Sequence, residues 1–177
     1  SISSIIGILL IYVFVKIKSS DIKRYLNLYV PRLNTVLLFL MILFCFMFGM
    51  EYVADLYPDI FYSDFVIESY KKTKSLPLFY FGIVFLAPIF EELLFRGFLF
   101  KGLEKSIIGG HGAVFVSAIL FSLVHMQYGM YILLFVMFPM AILLGYARLK
   151  SGSLLLSILM HMMNNLATCL ITHFEVY

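Results

Sequence analysis

The chain has 177 residues, 63% of them hydrophobic and 13% charged, with a mean hydropathy of +1.01 and a net charge of +3. Soluble domains carry about 45–50% apolar and about 25% charged residues, so a soluble fold is excluded and the chain reads as an integral membrane protein. Its basic residues form no stripe of the kind nucleic acids require, which excludes a nucleic-acid partner.

Six apolar segments follow one another, each expected as a helix, because a lone strand cannot satisfy its backbone groups in lipid. The first, Ile2–Val15, is short and starts from Ser1, so it reads as a span trimmed at an incomplete N-terminus. No small-residue cleavage site follows it, which argues against a cleavable signal. The second segment is Thr35–Ala54. The stretch Asp55 to Pro77 is the one long loop, with Tyr and Phe residues expected to touch the membrane surface. The third to sixth segments are Leu78–Phe100, Ala113–Tyr128, Met130–Tyr146 and Leu154–Ile171. Crossing ~30 Å of hydrocarbon takes about 20 helical residues, so the first, fourth and fifth need flanking residues or a thin bilayer. Cys45 and Cys169 lie inside apolar runs without CxxC spacing and read as small helical hydrophobes, neither zinc ligands nor a disulfide.

Alternating spans put nine basic residues on one side: Lys16, Lys18, Lys23, Arg24, Arg32, Lys101, Lys105, Arg148 and Lys150. The other side receives three, Lys71, Lys72 and Lys74, together with Asp55, Asp59, Asp64 and Glu68. The positive-inside rule places the nine in the cytoplasm. The fold class is therefore all-α: a polytopic transmembrane bundle of about six spans, read as one membrane-embedded domain over residues 1–177 with a motif core at 78–171. The location is a cell membrane, crossed several times.

Three polar clusters interrupt the spans: Glu91, Glu92 and Arg96; His125; and His161 with Asn164 and Asn165. A charge near the bilayer centre costs at least roughly 2.5–3.5 kcal/mol, so such groups pair, face a wet cavity or react. At 1.5 Å per residue Glu91 lies about 15 Å from the helix end at Lys101, His125 about 20 Å from Gly112, and His161 and Asn165 about 12 and 18 Å from Ser153. Three clusters on three helices thus share one layer, which argues for a single site.

Spacing divides the roles. Glu92 and Arg96 stand at i and i+4 in the favourable order for a helix ion pair, while Glu91 points about 100° away. Glu92 therefore reads as support neutralised by Arg96, and Glu91 as the available acid. His161 and Asn165 share a face at the same spacing; Asn164 competes with Asn165, and the i+4 geometry favours Asn165. Pro88 cannot donate to the carbonyl of Val84 and is expected to loosen its helix beside Glu91. A carboxylate in such a notch suits general-base activation of water. His125 would hold or orient that water, or pass a proton to the leaving amine, and His161 and Asn165 would donate to an oxyanion. No Ser or Cys has a claim as nucleophile. His111 and His173 read as plain surface residues. Met126, Met160, Met162 and Met163 read as core packing.

At these residues the chain resembles the type II CAAX-prenyl endopeptidase and bacteriocin-processing family of intramembrane proteases, CPBP or Abi, whose marks are EExxxR, FxxxH and HxxxN/D. Here they read Glu91-Glu92-Leu93-Leu94-Phe95-Arg96, Phe121-Ser122-Leu123-Val124-His125 and His161-Met162-Met163-Asn164-Asn165. The resemblance implies a bundle of about eight helices in which Glu91 and His125 activate water, His161 and Asn165 stabilise the oxyanion, and no metal is needed. It implies an intramembrane endopeptidase acting on a membrane-associated peptide or protein. Members also include bacteriocin-immunity proteins and regulators of sensor kinases, so a non-enzymatic scaffold with a membrane sensor partner is the alternative. Richness in Phe, Ile, Leu, Tyr and Lys hints at an AT-rich bacterial genome, hence a bacterial cytoplasmic membrane and a substrate that is not prenylated.

A catalytic zinc held by Glu91, His125 and His161 is the minority alternative, since one carboxylate and two histidines form a known zinc set, although HExxH is absent. A proton-coupled transporter is a third, weaker reading.

Overall fold

The computed structural model describes residues 2–19, 21–61 and 64–176. Among them every regular element is helical, and six long helices occupy the six apolar segments. They are α1 (Ile2–Lys18), α3 (Leu33–Leu56), α6 (Leu76–Glu104), α7 (Gly109–Leu123), α8 (Met130–Ser151) and α9 (Leu154–Val176). Shorter pieces are α2 (Ile22–Leu26), α4 (Pro58–Phe61) and α5 (Asp64–Lys72). By length and composition α3, α6, α8 and α9 can cross a membrane, and α7 is a shorter apolar helix.

Two prolines explain an irregularity in the long helices. Phe81–Leu86 of α6 and Leu133–Met137 of α8 widen into π-helix, and Pro88 and Pro139 follow two residues later. A proline lacks the N–H and its ring presses on the carbonyl four residues back; a wider turn relieves both. The expected loosening at Pro88 thus takes the form of a π stretch. A third π stretch, the second in α6, is Leu93–Leu99, which surrounds Arg96.

The outer surface is apolar, as a lipid-facing surface must be: Leu37, Met41 and Phe48 of α3, Phe115 of α7, Phe135 of α8 and Leu166 of α9 are all exposed. Inside, α3, α8 and α9 meet through Phe39, Leu43, Met140, Leu144, Leu156 and Met160. Small residues bring α7 against α8, with Ala113, Ser117, Ala118, Ala141 and Gly145, the usual device where lipid supplies no hydrophobic drive between helices.

The two ends differ. At one, α2 and the loop after it are tied to the bundle: Leu154 N–H donates to the Asn27 carbonyl at 3.1 Å, Ser153 Oγ donates to the Tyr29 carbonyl and Lys101 Nζ donates to the Tyr25 carbonyl. Gly152, at φ 66°, makes the left-handed turn from α8 into α9 at this end. Arg148, one of the nine basic residues assigned to the cytoplasmic side, lies inside α8. It is buried, with Nε donating to the Arg96 carbonyl at 3.3 Å.

The opposite end carries a roof. Between α3 and α6, in the stretch expected as a loop on the membrane surface, Pro58–Phe61 and Asp64–Lys72 instead fold into α4 and α5 and turn Phe61, Phe65 and Tyr70 toward the bundle interior. Tyr70 is buried, and its hydroxyl bonds Tyr80 at 2.7 Å and also meets His173 Nδ1. His173 is therefore a partner of the roof, not a plain surface residue. Its apolar surroundings push the Tyr70 phenol up to about 12, with the Tyr80 hydroxyl adding to the effect.

Candidate active site

The site is built around one segment of α6, Ala87–Glu92, held between two π stretches. Glu92 turns inward and is fully buried with Arg96. Arg96 Nη1 donates to Glu92 Oε1 at 2.9 Å, and Nη2 donates to the Ala141 carbonyl at 2.9 Å. Its guanidinium lies 4.5 Å from the Phe121 ring centroid. A buried charge survives only when paired and hydrogen-bonded, and Arg96 has both kinds of partner.

Glu91, one residue back, faces the other way, into a cavity of about 450 Å³. There it meets two histidines: His125 Nε2 lies 3.8 Å and His161 Nε2 3.7 Å from Glu91 Oε2. Asn165 lines the same cavity, and its Nδ2 donates to the Ile83 carbonyl at 3.0 Å. Asn164 donates to Asn165 Oδ1 at 3.4 Å, so the two amides are linked. All the residues singled out by spacing and depth therefore converge: Glu91, Glu92, Arg96, His125 and His161 in one cluster, Asn165 beside it.

His125 arrives by a different route from the one expected. The fourth segment does not remain helical to Tyr128; α7 stops at Leu123, and His125 begins a 3₁₀ turn, Met126–Tyr128, closed by Gly129 at φ 96°. The end of a helix leaves carbonyls without intrahelical partners, and His125 Nδ1 takes that of Phe121 at 2.7 Å. Met126, expected in the core, is exposed on this turn.

The hydrogen bonds also settle which nitrogen carries the proton. A carbonyl can only accept, so the His125 contact with Phe121 requires a hydrogen on Nδ1. His161 Nδ1 lies 3.0 Å from Glu92 Oε1, which already accepts from Arg96, so it too donates from Nδ1. In their neutral forms both rings then present an unprotonated Nε2 toward Glu91. Three acceptors face one space, at separations too long for a direct hydrogen bond but suited to a molecule that brings its own hydrogens, such as water.

Phe121 organises this arrangement. It stacks on His125 at 4.5 Å, meets His161 edge-on at 5.6 Å and Phe95 at 5.4 Å, besides carrying Arg96. Tyr128 stacks on the outer face of His125 at 5.9 Å and touches Phe65 of the roof at 5.2 Å. Sequence reasoning did not find Tyr128, Tyr70 or Glu51, which also lines the cavity. Tyr128 stands three residues after His125, and that spacing was the available signal. Among the described residues, no group of three or more His, Cys, Asp and Glu is placed to hold a metal ion. Cys169 is buried and Cys45 exposed, both free.

The family model of type II CAAX prenyl endopeptidases, Rce1-like, matches residues 73–167, just over half of the chain and the whole of this cluster. The chain belongs to that family, and at family level it is a CAAX-type intramembrane endopeptidase. No curated protein and no solved structure matches it.

Proposed function

We propose that this multi-pass member of a membrane endopeptidase family hydrolyses a peptide bond of a membrane-associated peptide or protein with a water activated by Glu91 and His125. The convergence of three acceptors, Glu91 Oε2 and two histidine Nε2 atoms, on one cavity supports the reading. Water placed there donates one hydrogen to Glu91 and the other to His125, which leaves its oxygen lone pair directed at a carbonyl carbon. As the C–O bond forms, Glu91 takes the proton. The oxyanion is met by Asn165, whose amide has a second N–H besides the one given to Ile83. His161, whose Nδ1–H is committed to Glu92, has no second N–H in its neutral form, so it stays beside the water as the third acceptor and the oxyanion falls to Asn165. The C–N bond then breaks, and the proton held by Glu91 passes to the leaving amine.

In this scheme Glu92 and Arg96 position His161, and the chemistry needs no metal. A positioned general base contributes about 10²–10⁴-fold, so Glu91→Ala, inserted and folded like the wild type, removes that factor at least. Comparative peptidomics of cells carrying wild type or Glu91→Ala reads both the loss and the substrate. Product peptides present in both would overturn the proposal, and a biological effect that survives Glu91→Ala and His125→Ala would assign the chain a binding role. Dialysis against a strong chelator leaves activity unchanged in this scheme and abolishes it in a zinc one.

A further inference from the structure

Glu91, His161 and Asn165 are carried inside long helices, whereas His125 stands past the end of α7, where a helix frays. Its Nδ1–H bond to the Phe121 carbonyl fixes one point of the ring and leaves the plane free to tilt. Two near-parallel rings set that plane: Phe121 at 4.5 Å with 30° between the planes, and Tyr128 at 5.9 Å with 26°. Tyr128 is met edge-on in turn by Phe65 of the roof at 5.2 Å. We propose that Tyr128 is a positioning residue for His125 and that α5 sets it through Phe65, so that the docked roof aligns the reacting pair. The inference rests on the endopeptidase reading and adds to it a control acting from the roof.

The plane matters because the lone pair of Nε2 lies in it. Nε2 and Glu91 Oε2, 3.8 Å apart, share one water in the proposed scheme. A tilt of the ring turns the lone pair off that water before the ring leaves the cavity, and a misplacement of about 1 Å costs about 10²-fold in rate. The roof is placed to prevent the tilt. α5 packs on the 3₁₀ turn Met126–Tyr128 and on α9. It is fastened elsewhere by buried Tyr70, bonded to Tyr80 of α6 at 2.7 Å and meeting His173 of α9. Docking of α5 therefore reaches His125 by a run of ring contacts, Phe65 to Tyr128 to His125, that passes through none of Glu91, Glu92 and Arg96.

The test uses the full chain in lipid nanodiscs, with histidines isotope-labelled at Cε1, and a panel of short internally quenched apolar peptides. The peptide cleaved fastest by the wild type serves for kinetics. Tyr128→Leu keeps apolar bulk without a ring and should lower kcat about tenfold to a hundredfold, with KM changed less than about twofold. Tyr128→Met serves in its place where Tyr128→Leu does not insert, and Tyr128→Phe, which keeps the ring, should retain kcat. Phe65→Leu should cost about three- to tenfold in kcat, and nothing further in the Tyr128→Leu background. Without peptide, the His125 Cε1–H resonance, assigned by its loss in His125→Asn, should move in Tyr128→Leu and in Phe65→Leu and stay in Tyr128→Phe. Losses that add in the double variant, a Tyr128→Phe protein as slow as Tyr128→Leu, a loss carried by KM, or an unmoved His125 resonance would each overturn the inference. A resonance that moves as expected, with no peptide hydrolysed by the wild type, overturns the endopeptidase reading instead and leaves the ring coupling standing.

Discussion

Arg96 offers a quantitative test of how the site is held. Both members of the Glu92–Arg96 pair are 0% exposed, and the pair is 2.9 Å apart. Arg96→Met leaves Glu92 buried without its counter-charge and also removes the bond to Ala141 and the contact with Phe121. Breaking a buried pair from one side costs about 3–5 kcal/mol. Because both residues lie on one helix, their pairing partly survives when the helices separate, and an exposed i,i+4 pair is worth about 0.3–0.5 kcal/mol. The loss should therefore fall near the lower end, about 3 kcal/mol. Glu92→Gln keeps an acceptor for His161 while removing the charge. The double variant Arg96→Met with Glu92→Gln leaves no uncompensated charge, so it should be less destabilised than the sum of the singles by about 2 kcal/mol or more. The assay is SDS-driven unfolding in mixed micelles, followed by helical circular dichroism and by labelling of the buried Cys169 thiol. A coupling below about 0.5 kcal/mol, the size of an exposed pair, would refute the view that burial gives this pair its weight.

Other outcomes follow from local geometry. A Cβ on Gly145 would stand 2.9 Å from Val114 Cγ1, whereas one on Gly49 meets nothing within 4 Å. Gly145→Ala should cost about 1–3 kcal/mol by overpacking and Gly49→Ala should stabilise α3 by about 0.5–1 kcal/mol, read by the same unfolding assay. Tyr70, pushed up to about 12, holds its proton more tightly in the folded chain than a free phenol near 10 does. Its contribution to docking α5 is complete below about pH 10 and is lost as the pH rises through about 12. Tyrosinate absorbance, with amide exchange in α5, should show the helix docked at pH 10; release well below that value would contradict the assignment.

Much of the site could be read from spacing alone, because helices convert spacing into direction. The i,i+4 relation of Glu92 and Arg96 and the opposite direction of Glu91 follow from 3.6 residues per turn, and the common depth of the clusters from 1.5 Å per residue. What escaped depends on contacts between elements. His125 sits beyond a helix end, and no periodicity announces where α7 gives way to a 3₁₀ turn. The burial of Arg148 was not legible because its partner, the Arg96 carbonyl, is distant in sequence. The roof looked like a loop because the chain from Asp55 to Pro77 has polar and aromatic residues in short runs. Only packing shows that Tyr70 and Phe65 point inward. Phe121 was visible as part of a motif, but its place between Arg96, His125 and His161 was not.

The two wide turns of α6 that flank Ala87–Glu92 have a consequence for how such a site can change. Each contains a surplus residue relative to an α-helix, so each can give up that residue without turning the glutamates relative to one end of the span. Deleting one residue from Leu93–Leu99 would let that stretch close to α-helical pitch with Glu91 and Glu92 kept in nearly the same direction relative to the Lys101 end, whereas the same deletion in a regular α-helix would turn them by about 100°. None of the residues that perform the proposed chemistry would be touched. Single-residue deletions in these turns, ordinarily ruinous inside a membrane helix, are here changes of length that the carboxylates can survive without losing their partners.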